Sequence, residues 1–284
     1  MRLSELLRRM RRSKFFIIGS VMVLIMVLLA IIAPYIVVHD ATTSDLSHRL
    51  EPPQWLNGLG GGYVLGTDAL GRDILTRVLL GGRASLIVAF FGVLVPVIVG
   101  TILGVLAGYY GGMVETIIMR ISEIQAGIPG LVLAITIASM LGPSMFNLVL
   151  VLLITGWISY AKQVRISTKA IAKSEFVQAS RVLGASDLSI MFRQILPNVL
   201  TPIIILISQS VGTTILFEAS LSFLGLGVPL PEPSWGNMIA EGREYLTTAP
   251  WTVLAPGIAL MLAVLAFNFL GDGVRDVLDP KNLD

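Results

Sequence analysis

The chain has 284 residues, 55% of them hydrophobic and only 13% charged, with a net charge of +2 and a mean hydropathy of +0.83. Soluble domains carry about 25% charged residues, so a water-exposed fold of this size is excluded, and the small net charge gives no footing for nucleic acid. The absence of cysteine removes disulfides, thiolate catalysis and Cys-type metal sites, and His39 and His48 lack the i, i+3 or i, i+4 spacing of helical metal ligands.

What remains is a membrane-embedded domain. A bilayer core of about 30 Å takes about 20 apolar residues in a helix. The first such stretch is Phe15 to Val38, preceded by Arg2, Arg8, Arg9, Arg11, Arg12 and Lys14. It outruns the roughly 7–15 residues of a signal-peptide core and reads as an uncleaved anchor. An external segment follows, from about His39 to Gly82, with a flexible connection at Gly58-Leu59-Gly60-Gly61-Gly62. Near its end Asp68, Arg72, Asp73 and Arg77 cluster just outside the second span. Two readings stand for them: the arginines pair with the aspartates and fix the segment, or the cluster docks an external protein.

The second span lies between Arg83 and Glu115, and Gly100, Gly104 and Gly108 repeat along one face of it. Such small residues allow close helix contact, within the chain or with a partner. Arg120 and Glu123 form an i,i+3 pair beside the third span. Ile124 to Ala161 carries no charge and is long enough for two helices, so it divides at the turn Leu141-Gly142-Pro143-Ser144. Pro197 to Phe217 is the fifth span, with Glu218 at its outer end, where a charge faces either the pathway or a structural partner. The second external segment, about Gly227 to Pro250, holds Pro229-Leu230-Pro231-Glu232-Pro233-Ser234-Trp235, a proline-stiffened loop leading to a short helix. Tyr245 to Gly271 is the sixth span, ending in the polar set Asp272, Arg275 and Asp276.

With six spans, 15 of the 20 lysines and arginines fall on one side. The positive-inside rule makes that side, with both termini, cytoplasmic. No Gly-x-x-x-x-Gly-Lys-Ser/Thr sequence occurs, so any ATP is bound by another chain.

The basic loop 161–198 is the most patterned part. At 100° per residue Ala172, Phe176, Ala179, Ser180 and Leu183 share one side of a helix, with Ser174, Gln178 and Arg181 opposite. Gly184 ends that helix, being tolerant of positive φ. Ser186 or Asp187 caps a second one, and Leu196-Pro197 turns the chain back to the membrane. The pattern is a helix–Gly–helix elbow presented to the cytoplasm, or an amphipathic connector on the lipid surface.

This loop resembles the cytoplasmic motif of ABC importer permeases: Glu-Ala-Ala, three residues, Gly, nine residues, Ile, one residue, Leu-Pro. Gln178-Ala179-Ser180 stands before Gly184 at that spacing and Leu196-Pro197 closes it. Gln178, Ser180 and Gln194 depart from the general pattern. The run from Glu175 and Phe176 to Gly184 and Ala185 looks like the variant of dipeptide, oligopeptide and nickel permeases. Three further stretches resemble the C-type permease of that group. They are Leu65 to Arg77 with Gly81 to Leu86, Glu218 to Gly227 leading to Pro233 to Met238, and Phe267 to Pro280.

The resemblance implies an all-α integral membrane protein, with six transmembrane helices in the type I ABC permease fold and a cytoplasmic coupling helix. Residues 1–82 would form the basic tail, anchor and external segment, and 83–284 a five-span core with coupling loop 161–198. Glu175, Phe176, Gln178, Ala179, Ser180, Gly184, Ala185, Ser186, Leu196 and Pro197 would dock an ATPase. Asp68, Arg72, Asp73, Arg77, Glu218 and Trp235 would serve external docking or the pathway. Implied partners are a second homologous permease, two ATPase subunits holding ATP and Mg, an external or periplasmic binding protein, and membrane lipid. This chain itself would hold no cofactor or metal and catalyse nothing. Short peptides are the expected cargo, with nickel or its chelate, glutathione or another small solute as alternatives. A gradient-driven transporter would want carboxylates at mid-membrane, and a membrane enzyme a convergent catalytic set; neither pattern is evident.

Overall fold

A computed structural model describes residues 3–57 and 62–278; Met1 and Arg2, the Gly58–Gly61 part of the glycine-rich connection and the last six residues, Pro280 among them, lie outside them. The elements in order are α1 (Leu3–Arg12), α2 (Lys14–Ile36), α3 (Gln54–Asn57), α4 (Ile74–Tyr110), α5 (Gly112–Ala126), α6 (Gly130–Leu141) and α7 (Met145–Ala172). Then follow α8 (Glu175–Val182), α9 (Asp187–Ile190), α10 (Leu196–Phe223), α11 (Trp235–Gly242) and α12 (Trp251–Leu278). Five helices are long and apolar enough to cross a bilayer, and the bent pair α5–α6 makes a sixth passage.

The second span begins at Ile74, well before the expected Arg83. Asp73 caps it by accepting from Leu75 N at 3.3 Å and Thr76 N at 3.0 Å, so the charges around residue 77 are wound into the helix instead of preceding it. Gly82, expected to end the external segment, lies inside α4.

The third span departs most from expectation. It starts at Gly112 instead of Ile124 and bends by 89° between α5 and α6. Pro129, which has no N–H to donate and restricts Ile128 before it, sits at the break.

Leu196-Pro197 makes no turn. Asp187 to Phe223 runs as one 37-residue helix, in which a π-helical turn over Met191–Ile195 precedes α10. The proline is the second residue of α10, directly behind the π-helical turn, where the altered hydrogen-bond ladder accommodates its missing N–H. The last span is Trp251–Leu278, so Asp272, Arg275 and Asp276 continue its helix.

Close backbone approach sets the packing. A Cβ on Gly100, Gly104 or Gly108 would come within 2.6–2.7 Å of α7 atoms at Trp157, Ala161 and Arg165 or the side chains beside them. The glycine stripe therefore packs α4 on α7 within this chain. A Cβ on Gly19 would run into the Leu270 backbone and one on Gly273 into that of Phe16, so these two glycines let the anchor α2 lie close along α12. Overpacking a close contact costs about 1–3 kcal/mol. Gly104→Leu is expected to lower the heat-inactivation midpoint of the purified chain by several degrees, against no shift for the same change at Gly257, whose Cβ position is open.

Candidate functional site

The elbow forms where the sequence places it, with altered limbs. Ala172 closes α7 and is not part of the elbow helix; a break at Lys173–Ser174 lets α8 start at Glu175. Gly184 has φ +84°. Its neighbours complete a reciprocal C-terminal cap, with Ala185 N donating to Ser180 O at 3.1 Å and Gly184 N to Arg181 O at 3.1 Å. Ser186 then caps α9, its Oγ accepting from Ser189 N at 3.4 Å.

Val177 is the residue that α8 buries, at 0% exposure, in a cluster with Ile190, Met191, Ile195, Val164 and Tyr109. Phe176 is 50% exposed and Leu183 87%, and Glu175, Ala179 and Gly184 are exposed too. The stripe Phe176, Ala179, Leu183 therefore faces outward. Gln178 Nε2 donates to Ala172 O at 2.7 Å, tying α8 to the end of α7. Two residues that depart from the general motif bond to one another: Gln194 Nε2 donates to Ser180 Oγ at 2.7 Å. They join the limbs of the elbow. Leu196 is half-buried and Pro197 exposed.

The elbow is clasped to α4 by Tyr109, which local pattern did not single out. Tyr109, at the C-terminal end of α4, donates its hydroxyl to Asp187 Oδ1 at 2.6 Å. Arg181 of α8 lies over the Tyr109 ring, 5.2 Å from its centre. One tyrosine thus touches both limbs. A second tie is Glu115 of α5, which accepts from Arg165 at 2.5 Å and Lys169 at 2.6 Å on α7. Arg120 and Glu123 pair at 3.0 Å, exposed, as expected. Tyr109→Phe keeps the ring and its stacking but removes the bond to Asp187. A hydrogen bond to a charged group is worth about 1.5–3 kcal/mol when buried and less here. Cleavage of the elbow by a protease in the purified chain should quicken about threefold, with the amount of inserted chain unchanged.

At the opposite end of α4 the charged cluster is buried. Arg72 pairs with Asp68 at 2.7 Å and Glu241 at 2.9 Å, and Arg77 with Glu241 at 2.8 Å and Asp68 at 3.5 Å. Arg77, 1% exposed, also donates to Ala41 O at 3.0 Å. Asp73 pairs with neither arginine, because it is taken up in capping α4. Glu241 of α11 does that work, and nothing in its local sequence marked it. Together these groups pin the segment between α2 and α4, the start of α4 and α11 into one cap. Trp235 belongs to the same cap: it is buried against Gly82 and donates from Nε1 to Val78 O at 3.0 Å. Glu218 lies inside α10, not past its end, at 0% exposure, and accepts from Ser222 Oγ at 2.6 Å.

Residues 100–283 match the family described as "binding-protein-dependent transport system inner membrane component". Residues 2–53 match the "N-terminal TM domain of oligopeptide transport permease C". A di/tripeptide transport system permease of Pseudomonas aeruginosa is 38% identical over 279 residues, covering 98% of this chain and 92% of that protein. A dipeptide transport system permease of Alkalihalophilus pseudofirmus is 40% identical, over 98% of this chain and 89% of its own length. A glutathione transport system permease of Pectobacterium atrosepticum is also 40% identical, over 98% and 90%.

Proposed function

This chain belongs to the family of binding-protein-dependent transport inner-membrane components, as a C-type permease of the dipeptide, oligopeptide and nickel group of ABC importers, and from that premise we propose that it carries short peptides inward. It is a multi-pass inner-membrane permease subunit. In the full assembly it pairs with a second, related permease. Two ATPase subunits, holding ATP and Mg, bind at the cytoplasmic side, where both termini also lie. An external binding protein delivers the cargo.

The observation that carries the coupling half of this reading is the exposed stripe Phe176, Ala179, Leu183, held on an elbow that is bonded to the spans through Tyr109, Asp187 and Gln194. Closing of the ATPase pair pushes on that stripe, and the clasp passes the push to α4. Glu175, Ala185, Ser186, Leu196 and Pro197 shape the elbow around Gly184. Asp68, Arg72, Asp73, Arg77 and Trp235 serve docking indirectly, by keeping the outer cap rigid, because their polar groups are already engaged with one another.

Glutathione is a second reading, favoured by the relative from Pectobacterium atrosepticum; it too is a small amine-bearing peptide. Right-side-out vesicles carrying the whole complex, with ATP enclosed and the binding protein supplied outside, test both. ATP-dependent uptake of labelled alanyl-alanine, competed by other dipeptides and not by glutathione, is the expected result. Uptake of glutathione alone moves the cargo, and uptake of neither removes the peptide reading.

A further inference from the structure

Six hydroxyl-bearing residues converge on one cleft of about 250 Å³: Thr155, Ser159 and Tyr160 of α7, and Ser210, Thr213 and Thr214 of α10. They fall near the middle of α7 and α10, two of the helices long and apolar enough to cross a bilayer, and no charged residue lines the space. Gly130, the first residue of α6, forms part of the wall, so the 89° break of the third span opens here. Gln125 at that break is satisfied on both ends, donating to Ile154 O at 2.5 Å and accepting from Trp157 Nε1 at 3.1 Å. Non-helical backbone at membrane depth persists only when buried in protein or lining a wet cavity, and broken helices near the midplane mark solute sites.

The direction of the hydrogen bonds gives the cleft a chemical preference. Thr155 donates to Val151 O at 2.8 Å, and Thr213 and Thr214 both donate to Ser210 O at 2.8 Å. Ser210 donates to Leu206 O at 2.5 Å while accepting from the Tyr160 hydroxyl at 2.6 Å. Five of the six hydroxyl protons are thus spent within the protein, four on carbonyls of their own helix and that of Tyr160 on Ser210, so at those five oxygens the lone pairs are what remain for the cleft. An acceptor-rich surface fits hydrogen-bond donors. With no carboxylate, it holds them weakly and lets them leave.

We propose that this cleft is a mid-membrane contact site for ammonium and amide N–H groups of the passing cargo. The proposal deepens the peptide-import reading and rests on it for the cargo's identity, but its test does not depend on cargo. Because the chain has no cysteine, Ser159→Cys and Thr213→Cys each place a single thiol there, and Leu24→Cys on the outward face of α2 serves as the lipid-facing control. In the assembled transporter in lipid nanodiscs, labelling of this chain is followed by mass with 2-aminoethyl and 2-sulfonatoethyl methanethiosulfonate. Each rate is divided by that reagent's rate with free mercaptoethanol.

Both cleft thiols should label faster than the control. The ammonium reagent should be favoured by about three- to tenfold, the weight of one net hydrogen bond. Adding Thr213→Val and Thr214→Val to Ser159→Cys should abolish that preference without closing the cleft. Labelling no faster than the control, equal rates with the two reagents, or a preference that survives the valines would each overturn the proposal. Failure of alanyl-alanine uptake with these labelling results intact would instead remove the peptide reading and leave the cleft.

Discussion

Gly184→Val is expected to cut ATP-driven uptake about tenfold while the chain still inserts in normal amount. Gly184 has φ +84° and nothing stands within 4 Å of where its Cβ would be. The penalty is therefore conformational and not steric. An L-residue in the left-handed region costs roughly 1–2 kcal/mol, and more when β-branched. That is a five- to thirtyfold loss of the competent elbow. Asn tolerates this region better than other side chains, so Gly184→Asn should retain most of the uptake and Gly184→Ala should fall between. Uptake by vesicles, normalised to inserted chain, gives the ranking. Equal loss for Val and Asn would assign the position to contact with the ATPase instead of to backbone shape, and normal uptake in all three would remove the elbow from the mechanism.

The second large effect lies at the opposite end of the molecule. Glu241→Gln leaves Arg72 and Arg77, both nearly fully buried, with only Asp68 between them. Breaking a buried ion pair by removing one partner costs about 3–5 kcal/mol, because a desolvated charge is left uncompensated. The variant should lose most of its folded yield in mild detergent. Arg77→Met combined with Glu241→Gln leaves the Arg72–Asp68 pair intact and should be less damaging than either change alone. Heat-inactivation midpoints of the two single variants and the double variant check this; additive losses would mean that the pair is not coupled.

Hydropathy located the five long spans, and a turn signal separated the bent passage from the span after it, because length, lack of charge and turn residues are local properties. The Gly100, Gly104, Gly108 stripe was also legible, since four-residue spacing keeps residues on one helix face. Helix ends were less so. Arg77 and Arg83 looked like a boundary, yet the cap at Asp73 and a distant carboxylate draw the first turns of α4 inward. Pro197 looked like a turn, and the π turn ahead of it absorbs its missing N–H. The break at Pro129 was hidden inside an uncharged run with a stronger turn signal at Gly142-Pro143. In the elbow, Gly184 and Ser186 could be read from backbone requirements and capping chemistry. Tyr109 with Asp187, and Arg77 with Glu241, could not, because such pairs are made by chain segments far apart in sequence. Gln194 and Ser180 were visible only as departures from a motif, and the reason for both is that they bond to each other.

The central claim is that the outward stripe of α8 meets an ATPase and not lipid. Phe176→Cys and Leu183→Cys, in a chain without other thiols, allow one direct measurement. A short thiol-to-amine cross-linker is applied to the purified, assembled complex in nanodiscs, some of which contain nitroxide-labelled lipid, and a fluorophore on the same thiol reports lipid contact. Cross-linking of this chain to the ATPase subunit at both positions, with no quenching by the nitroxide, is the predicted result. Strong quenching without any cross-link to the ATPase would contradict the account and make the elbow a lipid-surface connector.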